Sequence, residues 1–439
     1  MFNETRRVLA RLDRLTDWER KPRDAIRAGL EPMLDLMERL GNPHQRLRAI
    51  HVTGTKGKGS VCALIEAALL RAGLRIGRYA SPHVEDITER VGLMGQSIGQ
   101  AEFASALTKA LDAHEAAKQA GTHGASANWF DLLTATAFLI FADADLDWVV
   151  LEVGIGGRLD STNVVDAEVA VITNVELEHT EVLGSSREAI AREKAGILKA
   201  GTCLVTTLSP EDPAGLVIWN TAATRGCAVL HADLAPAAAI ESRNAEMAGL
   251  VLDYLGRREG LCTTSQNERE AGVGAWLLDE ATRAKARLPG RLERFDIGVL
   301  SAETLKTVPI VLDGAHVPFN LEAVLCDLAS RSGLGGTCVA VATLAADKDA
   351  ASFFGVLSRR AASVILTMLP DEGRRRSPQD LVTSATSANL KCEVEPDAHS
   401  ALDKAIQGAA EADGWVLVTG SLYLVGALRK SVISRRRNP

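Results

Sequence analysis

The sequence predicts an α/β fold in two units: an N-terminal P-loop domain with a parallel sheet flanked by helices, and a smaller C-terminal α/β domain. Three observations carry this reading. Apolar, β-branched runs alternate with segments of helical period between residues 48 and 207. A glycine-rich turn joins the first of these runs to a helix. After Leu288-Pro289-Gly290 the alternation starts again, which places a domain boundary near residue 296.

Residues 5–40 carry apolar side chains at helical spacing (Val8, Leu12, Leu15, Leu30, Met33, Leu34, Met37), and the run stops at Gly41-Asn42-Pro43. Strands are expected at 48–53, 75–79, 148–153, 169–173 and 203–207. Those at 148–153 and 169–173 are rich in β-branched residues and bounded by turn residues, as suits strands buried on both faces. Helices are expected at 60–72, 100–120, 129–142 and 186–199. The segment 231–290 is rich in Ala and charge, with few strand candidates. Strands then recur at 308–312, 337–343, 362–367, 391–395 and 415–419, each followed by a helical pattern.

A length of 439 residues allows two or three domains of ordinary size. Hydrophobic residues make up 46% and charged residues 24%, which excludes a disordered chain. A net charge of -7 argues against a general nucleic-acid binder, though a local anion site needs only local positive charge. No run approaches the roughly 18 apolar residues of a membrane span, and the start is charged throughout, so a cytoplasmic protein is expected. The seven cysteines are scattered, without a C-x-x-C pair, and read as reduced thiols.

The first chemical signal is His51-Val52-Thr53-Gly54-Thr55-Lys56-Gly57-Lys58-Gly59-Ser60. Backbone N–H groups in such a turn converge on a phosphate, and the helix N-terminus adds partial positive charge. Lys58 is placed to reach the β/γ-phosphates, and Ser60 opens the helix. Gly59 stands between lysine and hydroxyl, so the spacing departs from G-x-x-x-x-G-K-[ST]. A second signal is Glu152 at the end of a hydrophobic strand, where a carboxylate is costly unless it meets a cation. A Mg²⁺ ion would supply one, because hard oxygen ligands suit it.

IHVTGTKGKGS resembles the IHV-x-GTNGKGS loop of the folylpolyglutamate synthase and dihydrofolate synthase family, part of the wider Mur-ligase group. The resemblance runs from Gly41-Asn42-Pro43 to Gly420-Ser421-Leu422-Tyr423. It includes Ser81-Pro82-His83, Thr88-Glu89-Arg90-Val91, Leu151 to Asn163, Ile172-Thr173-Asn174 with His179, Glu193-Lys194-Ala195-Gly196-Ile197, Pro289-Gly290-Arg291 and Asp313-Gly314-Ala315-His316. It implies a central ATP-binding domain over 1–296 and a Rossmann-like glutamate-ligase domain over 297–439. It also implies ATP- and Mg²⁺-dependent addition of L-glutamate to dihydropteroate or a folate through an acyl phosphate.

Residue by residue, the resemblance assigns ATP to Thr55, Lys56, Gly57, Lys58, Gly59, Ser60, Asn244, Arg291 and Asp313. It assigns the metal to Ser81, Glu152 and His179, and the pteroate pocket to Asn128, Trp129, Phe130, Asp131, Leu159, Asp160 and Ser161. Trp129 and Phe130 read equally well as plain core. Lys194 matches the family's carbamylated lysine, because an unmodified amine with a pKa of about 10.4 would repel Mg²⁺. Lys58, Lys194 and His316 are the expected catalytic groups. Asp347-Lys348-Asp349 reads either as a functional turn or as a helix cap.

The implied partners are ATP, L-glutamate and a pteroate or folate, with no nucleic acid, no membrane and a monomeric chain. Lys56 stands where the family has Asn, Glu176 where it has Gly, Glu178 where it has Asp, and Val317 where it has Asn. Two other readings stay open: a Mur-type ligase for another carboxylate, and a nucleotide-binding relative without catalysis.

Overall fold

The structure, a computed structural model, describes residues 2–16, 29–232, 239–261, 272–301, 304–329, 331–368 and 376–437. It divides into two compact units, Met1–Arg287 and Leu288–Pro439.

The first unit is organised by an eight-stranded sheet of order β4-β3-β2-β5-β1-β6-β7-β8. Its strands are β1 (Ala49–Thr53), β2 (Ile76–Tyr79), β3 (Val91–Leu93), β4 (Gln96–Ser97), β5 (Trp148–Glu152), β6 (Val169–Ile172), β7 (Cys203–Thr206) and β8 (Ala228–His231). Six run parallel, while β3 and β4 add an antiparallel edge beyond β2. Every residue of β1, β5, β6 and β7 is buried, which is why these strands read as unbroken apolar runs. The short edge pair β3–β4 was not expected; Gly92 and the Met94-Gly95 turn gave no strand pattern.

Helices α1 (Phe2–Leu12), α2 (Glu31–Arg39), α3 (Lys58–Arg71), α4 (Gln100–Ala120), α5 (Trp129–Asp143), α6 (Thr180–Leu183), α7 (Arg187–Ala195), α8 (Pro213–Thr224) and α9 (Ile240–Glu259) cover the sheet. One core joins Ala49, Tyr79, Val149 and Leu151 to Val8, Leu36, Leu107 and Phe138 of α1, α2, α4 and α5. Another joins Ile172 and Leu204 to Ile190 of α7 and Ile218 of α8. Among the described residues, the single helical run expected over 5–40 holds two helices: the chain turns after Leu12, and Pro32 lies in the first turn of α2. Residues 17–28 of that run lie outside the described residues. The helix expected over 186–199 stops at Ala195, where Gly196 packs so tightly on Arg158 that an added Cβ would come within 2.3 Å of the Arg158 Cβ.

The second unit has a six-stranded sheet of order β13-β12-β11-β14-β10-β9. Its strands are β9 (Glu293–Ser301), β10 (Thr304–Leu312), β11 (Cys338–Ala342), β12 (Ala361–Leu366), β13 (Lys391–Val394) and β14 (Trp415–Thr419). Five are parallel, and β9 closes one edge antiparallel to β10 over its whole length. The expected boundary near residue 296 falls inside β9, and the units divide before Leu288 instead. β9 was hidden because its edge position leaves charges such as Arg294 and Asp296 between the apolar residues.

Cys62, Cys203, Cys227, Cys326, Cys338 and Cys392 are free thiols, and Cys262 lies outside the described residues. Among the described residues no helix is long and apolar enough to cross a membrane.

Candidate active site

The chain leaves β1 at the centre of the first sheet, between β5 and β6, which lie on opposite sides of it. Such a reversal of strand order opens a crevice at the carboxyl ends of the strands. Thr53, Gly54, Thr55 and Lys58 from β1 and its turn line a cleft there. Val153 to Gly156 after β5, Glu178, His179 and Leu183 after β6, and Lys194 of α7 complete it.

The phosphate loop is held from β6. Thr55 N–H donates to Asn174 O at 3.0 Å, and Lys56 N–H donates to Asn174 Oδ1 at 2.9 Å. The Lys56 carbonyl accepts from Thr173 Oγ1 at 2.6 Å and from Asn174 Nδ2 at 3.0 Å. Glycine is required at two points. Gly54 has φ +148 and an added Cβ would fall 1.8 Å from Thr173 Oγ1; Gly57 has φ +86 and its Cβ would meet Asn244 Oδ1 at 2.6 Å. Asn244, buried on α9, therefore packs on the phosphate loop itself. Lys58 opens α3, with Gly59 and Ser60 in its first turn, and its Nζ donates back to Gly54 O at 3.0 Å and Thr55 O at 3.4 Å.

Lys194 is 3% exposed. Burial, reinforced by the positive charge of Lys58, pushes its ammonium down to about 7, against a weaker upward pull from Glu178. The loop after β5 docks on α7, where Arg158 N–H donates to Glu193 O at 2.7 Å. Gly157 is needed for this contact, since a Cβ there would fall 2.9 Å from Glu193 O.

The metal candidates are placed as follows. Glu152, 5% exposed at the end of β5, accepts from Ser81 N–H at 3.0 Å. His179 adopts a left-handed backbone, φ +56, and faces the cleft with Glu178, whose Oε1 lies 4.0 Å from its Nε2. Among the described residues no three His, Cys, Asp or Glu side chains gather in a metal cage. The buried Glu152 carboxylate fits Mg²⁺, which takes one or two protein carboxylates and completes its shell with water and phosphate oxygens. The Ser81–Glu152 pair offers hard oxygen donors beside the phosphate loop's strand.

The pteroate candidates divide. Asn128 caps α5: its Oδ1 accepts from Phe130 N–H at 2.8 Å and Asp131 N–H at 3.2 Å, while Asp131 Oδ2 accepts from Asn128 N–H at 2.8 Å. Ser161 Oγ donates to the other Asp131 oxygen at 2.5 Å. Burial pushes the Asp131 carboxyl up to about 6. Asp160 is also turned inward. It accepts from the N–H groups of Gly154 (3.0 Å), Ile155 (3.1 Å) and Thr162 (3.1 Å), and from Thr162 Oγ1 at 2.5 Å. Trp129 is core, with the Arg90 guanidinium 4.8 Å from its ring centre. Phe130, half-buried, lies against Gly154, and Leu159 is also half-buried; these two keep surface to offer a ligand.

In the second unit Asp313, buried at the end of β10, joins two turns. It accepts from Leu292 N–H at 2.9 Å and from Ala315 N–H at 2.8 Å. Arg291 lies over Gly314, where an added Cβ would fall 2.9 Å from its Nη1. Glu293, gripped by Arg429 at 2.8 Å, accepts from Gly290 N–H and fixes the same turn. His316 Nδ1 donates to Gly314 O at 2.9 Å, which orients its ring. Asp349 caps the helix Ala350–Leu357 through Ser352 N–H, so the Asp347-Lys348-Asp349 turn contains a helix cap.

Sequence reasoning missed the grip of Thr173 and Asn174 on the phosphate loop. Both stand in the Ile172-Thr173-Asn174 match, but only the fold shows that β6 leaves the sheet beside β1. It also missed that Glu176 turns to Arg187, 3.8 Å away.

A P-loop unit followed by a smaller α/β unit is the build of a Mur-type ligase. Residues 52–248 match the Mur ligase middle domain, and residues 290–422 match the Mur ligase glutamate ligase domain. The chain is 32% identical over 427 residues to the dihydrofolate synthase/folylpolyglutamate synthase of Bacillus subtilis, covering 92% of this chain and 95% of that protein. It superposes on Escherichia coli FolC in complex with DHPP and ADP with a TM-score of 0.76 at 28% identity, covering 98% of both chains. A bifunctional folylpolyglutamate synthase/dihydrofolate synthase with Mn, AMPPNP and L-glutamate bound gives 0.77 at 30% identity, again over 98% of both chains. The chain belongs to the folylpolyglutamate synthase/dihydrofolate synthase family.

Proposed function

We propose that this protein joins L-glutamate to the carboxylate of dihydropteroate and of a reduced folate, with ATP and a divalent metal, acting as a monomer in the cytoplasm. It is an ATP-dependent ligase of its family, and the acceptor is the finer part of the reading. The observation that carries the chemistry is one cleft holding Lys58 of the phosphate loop together with Lys194 and His179.

A carboxylate is a poor electrophile, so ATP must first convert it to an acyl phosphate that the glutamate amine can attack. The loop N–H groups and Lys58 hold the phosphates, and Lys58 follows the charge of the moving phosphoryl group. Ser81, Glu152 and His179 are the groups that would hold Mg²⁺, which would neutralise phosphate charge and align the transfer. Lys194 is carbamylated in this reading. An amine brought down to about 7 is roughly half uncharged at neutral pH, which supplies the neutral form that attack on CO₂ requires, and the product carries negative charge toward the metal. Phe130 and Leu159 offer apolar surface to the pteroate ring, while Asn128, Asp131, Asp160 and Ser161 shape the loop around it. Arg291 is assigned to phosphate and His316 to the incoming glutamate, with Asp313 fixing both turns.

The test is glutamate-dependent ADP release with dihydropteroate and with tetrahydrofolate, in separate assays. Turnover of both supports a bifunctional enzyme. Turnover of neither, with turnover of another carboxylate, would replace the folate reading by the wider Mur-type one.

A further inference from the structure

Two of the chain's departures from its family's pattern meet in space. Lys56 Nζ donates to Glu178 Oε1 at 2.8 Å, with side chains 19% and 9% exposed. We propose that these residues act as one positioning unit that ties the His179 turn to the phosphate loop, so that Lys56 is not an added phosphate contact.

The geometry is specific. Thr173 and Asn174 hold the Lys56 main chain from both sides, which fixes where its side chain starts. Four residues later the same segment returns Glu178 to the tip of that side chain. One stretch, 173–178, thus grips residue 56 by its backbone and by its amine. Glu178 adjoins His179, whose left-handed backbone is held in an uncommon conformation for a residue with a side chain. The carboxylate also faces Lys194, which feels its charge, and lines the cleft with Lys58.

The charge balance follows. A lysine in place of a neutral residue would add a cation to a loop that already has Lys58. Pairing with Glu178 cancels that charge and gives the carboxylate a partner other than Lys58 or Lys194. Loss of either member alone leaves a largely buried charge to find a new partner among the cleft's working groups. Loss of both leaves none. Lys56 and Glu178 are then positioning residues, acting through His179 and through the undisturbed amines of Lys58 and Lys194.

This inference rests on the ligase reading, and its test separates the two. Four proteins are compared: wild type, Lys56→Gln, Glu178→Gln and the double variant. Each single variant is expected to lose about tenfold in kcat, the scale of coupling between residues in contact, with little change in KM for ATP. The double variant is expected to regain most of the loss, and Lys56→Arg, which keeps a cation against Glu178, to lose less than Lys56→Gln. Independent losses that multiply in the double variant would overturn the proposal. So would a raised KM for ATP in Lys56→Gln with Glu178→Gln silent, since that marks a phosphate contact. Calorimetric titration of Mn²⁺ into the same four proteins, each saturated with ADP, gives a second cycle through the His179 turn without catalysis, with the same single losses and double recovery expected. If wild type turns over neither folate acceptor, the folate reading fails, while this binding cycle still decides the pair. Should either glutamine variant fail to fold, Lys56→Met with Glu178→Met completes the cycle, since each likewise removes its charge at similar side-chain length.

Discussion

The backbone N–H of Ser81 donates to the Glu152 carboxylate at 3.0 Å, tying the turn after β2 to the last residue of β5. These strands are neighbours in the sheet, with Tyr79 registered against Leu151. The metal candidates Ser81 and Glu152 are therefore adjacent because of strand pairing. Glu152→Gln keeps an oxygen for the Ser81 bond and removes the charge. Fold should be preserved, while the Mg²⁺ needed for half-maximal ADP release should rise about 10–100-fold, the scale on which loss of metal-supporting groups is felt. A magnesium titration at fixed ATP checks this; an unchanged curve removes Glu152 from the metal site.

Lys58→Ala should leave the protein folded and cut turnover by about 10²–10³-fold, as loss of one preorganised charge contact does. Circular dichroism and ADP release measure the two halves. Near-normal turnover in a folded variant would show that the phosphates lie elsewhere.

Lys194→Ala should be almost inactive, Lys194→Arg should not recover because it keeps its charge and cannot take up CO₂, and formate or acetate should partly restore the alanine variant. Bicarbonate should activate wild type more as pH rises through about 7, where the buried amine loses its proton. An active arginine variant with no bicarbonate response would exclude the carbamate.

Burial lifts the Asp131 carboxyl from the ordinary 3.8 to about 6. Between those values the folded state holds a proton that the unfolded chain has released. This group's contribution to stability is full below pH 3.8 and is lost as pH rises through 6. Asp131→Asn should flatten that part of the stability–pH curve relative to wild type. Urea unfolding of both proteins from pH 4 to 7 gives the difference, and parallel curves would contradict the raised value.

Asp313→Ala takes the acceptor from the half-buried Leu292 N–H and the buried Ala315 N–H, and the buried donor alone should cost about 1–3 kcal/mol. Asp313→Asn keeps one good acceptor and should cost less. Thermal unfolding compares the variants; equal stability of alanine and wild type would mean the turns hold without the carboxylate.

The parallel strands and the phosphate loop were legible because burial on both faces leaves an apolar run, and because Gly54 and Gly57 answer a steric demand visible in the chain. β9 was not, since an edge strand tolerates Arg294 and Asp296. Asn128 and Asp131 show a different limit. Their sequence carries a capping box, and the same residues fit a ligand-binding motif, so only the hydrogen bonds show that their polar atoms serve the helix. Lys56 and Glu178 lie 122 positions apart, and read singly each looks like a defect in a motif. Their pairing depends on β6 running beside β1.

The hold of Thr173 and Asn174 on the phosphate loop also bears on the thermodynamics of nucleotide capture. Confining one residue's backbone costs about 1–2 kcal/mol of conformational entropy. Here that ordering is complete once β6 lies beside β1, as part of folding. A nucleotide meets a rigid cradle, so little of its contact energy is diverted to shaping the loop. Mutations at Thr173 or Asn174, which need touch no ligand, should therefore weaken nucleotide binding by making the cradle floppy, with an unfavourable entropy of binding as the calorimetric mark.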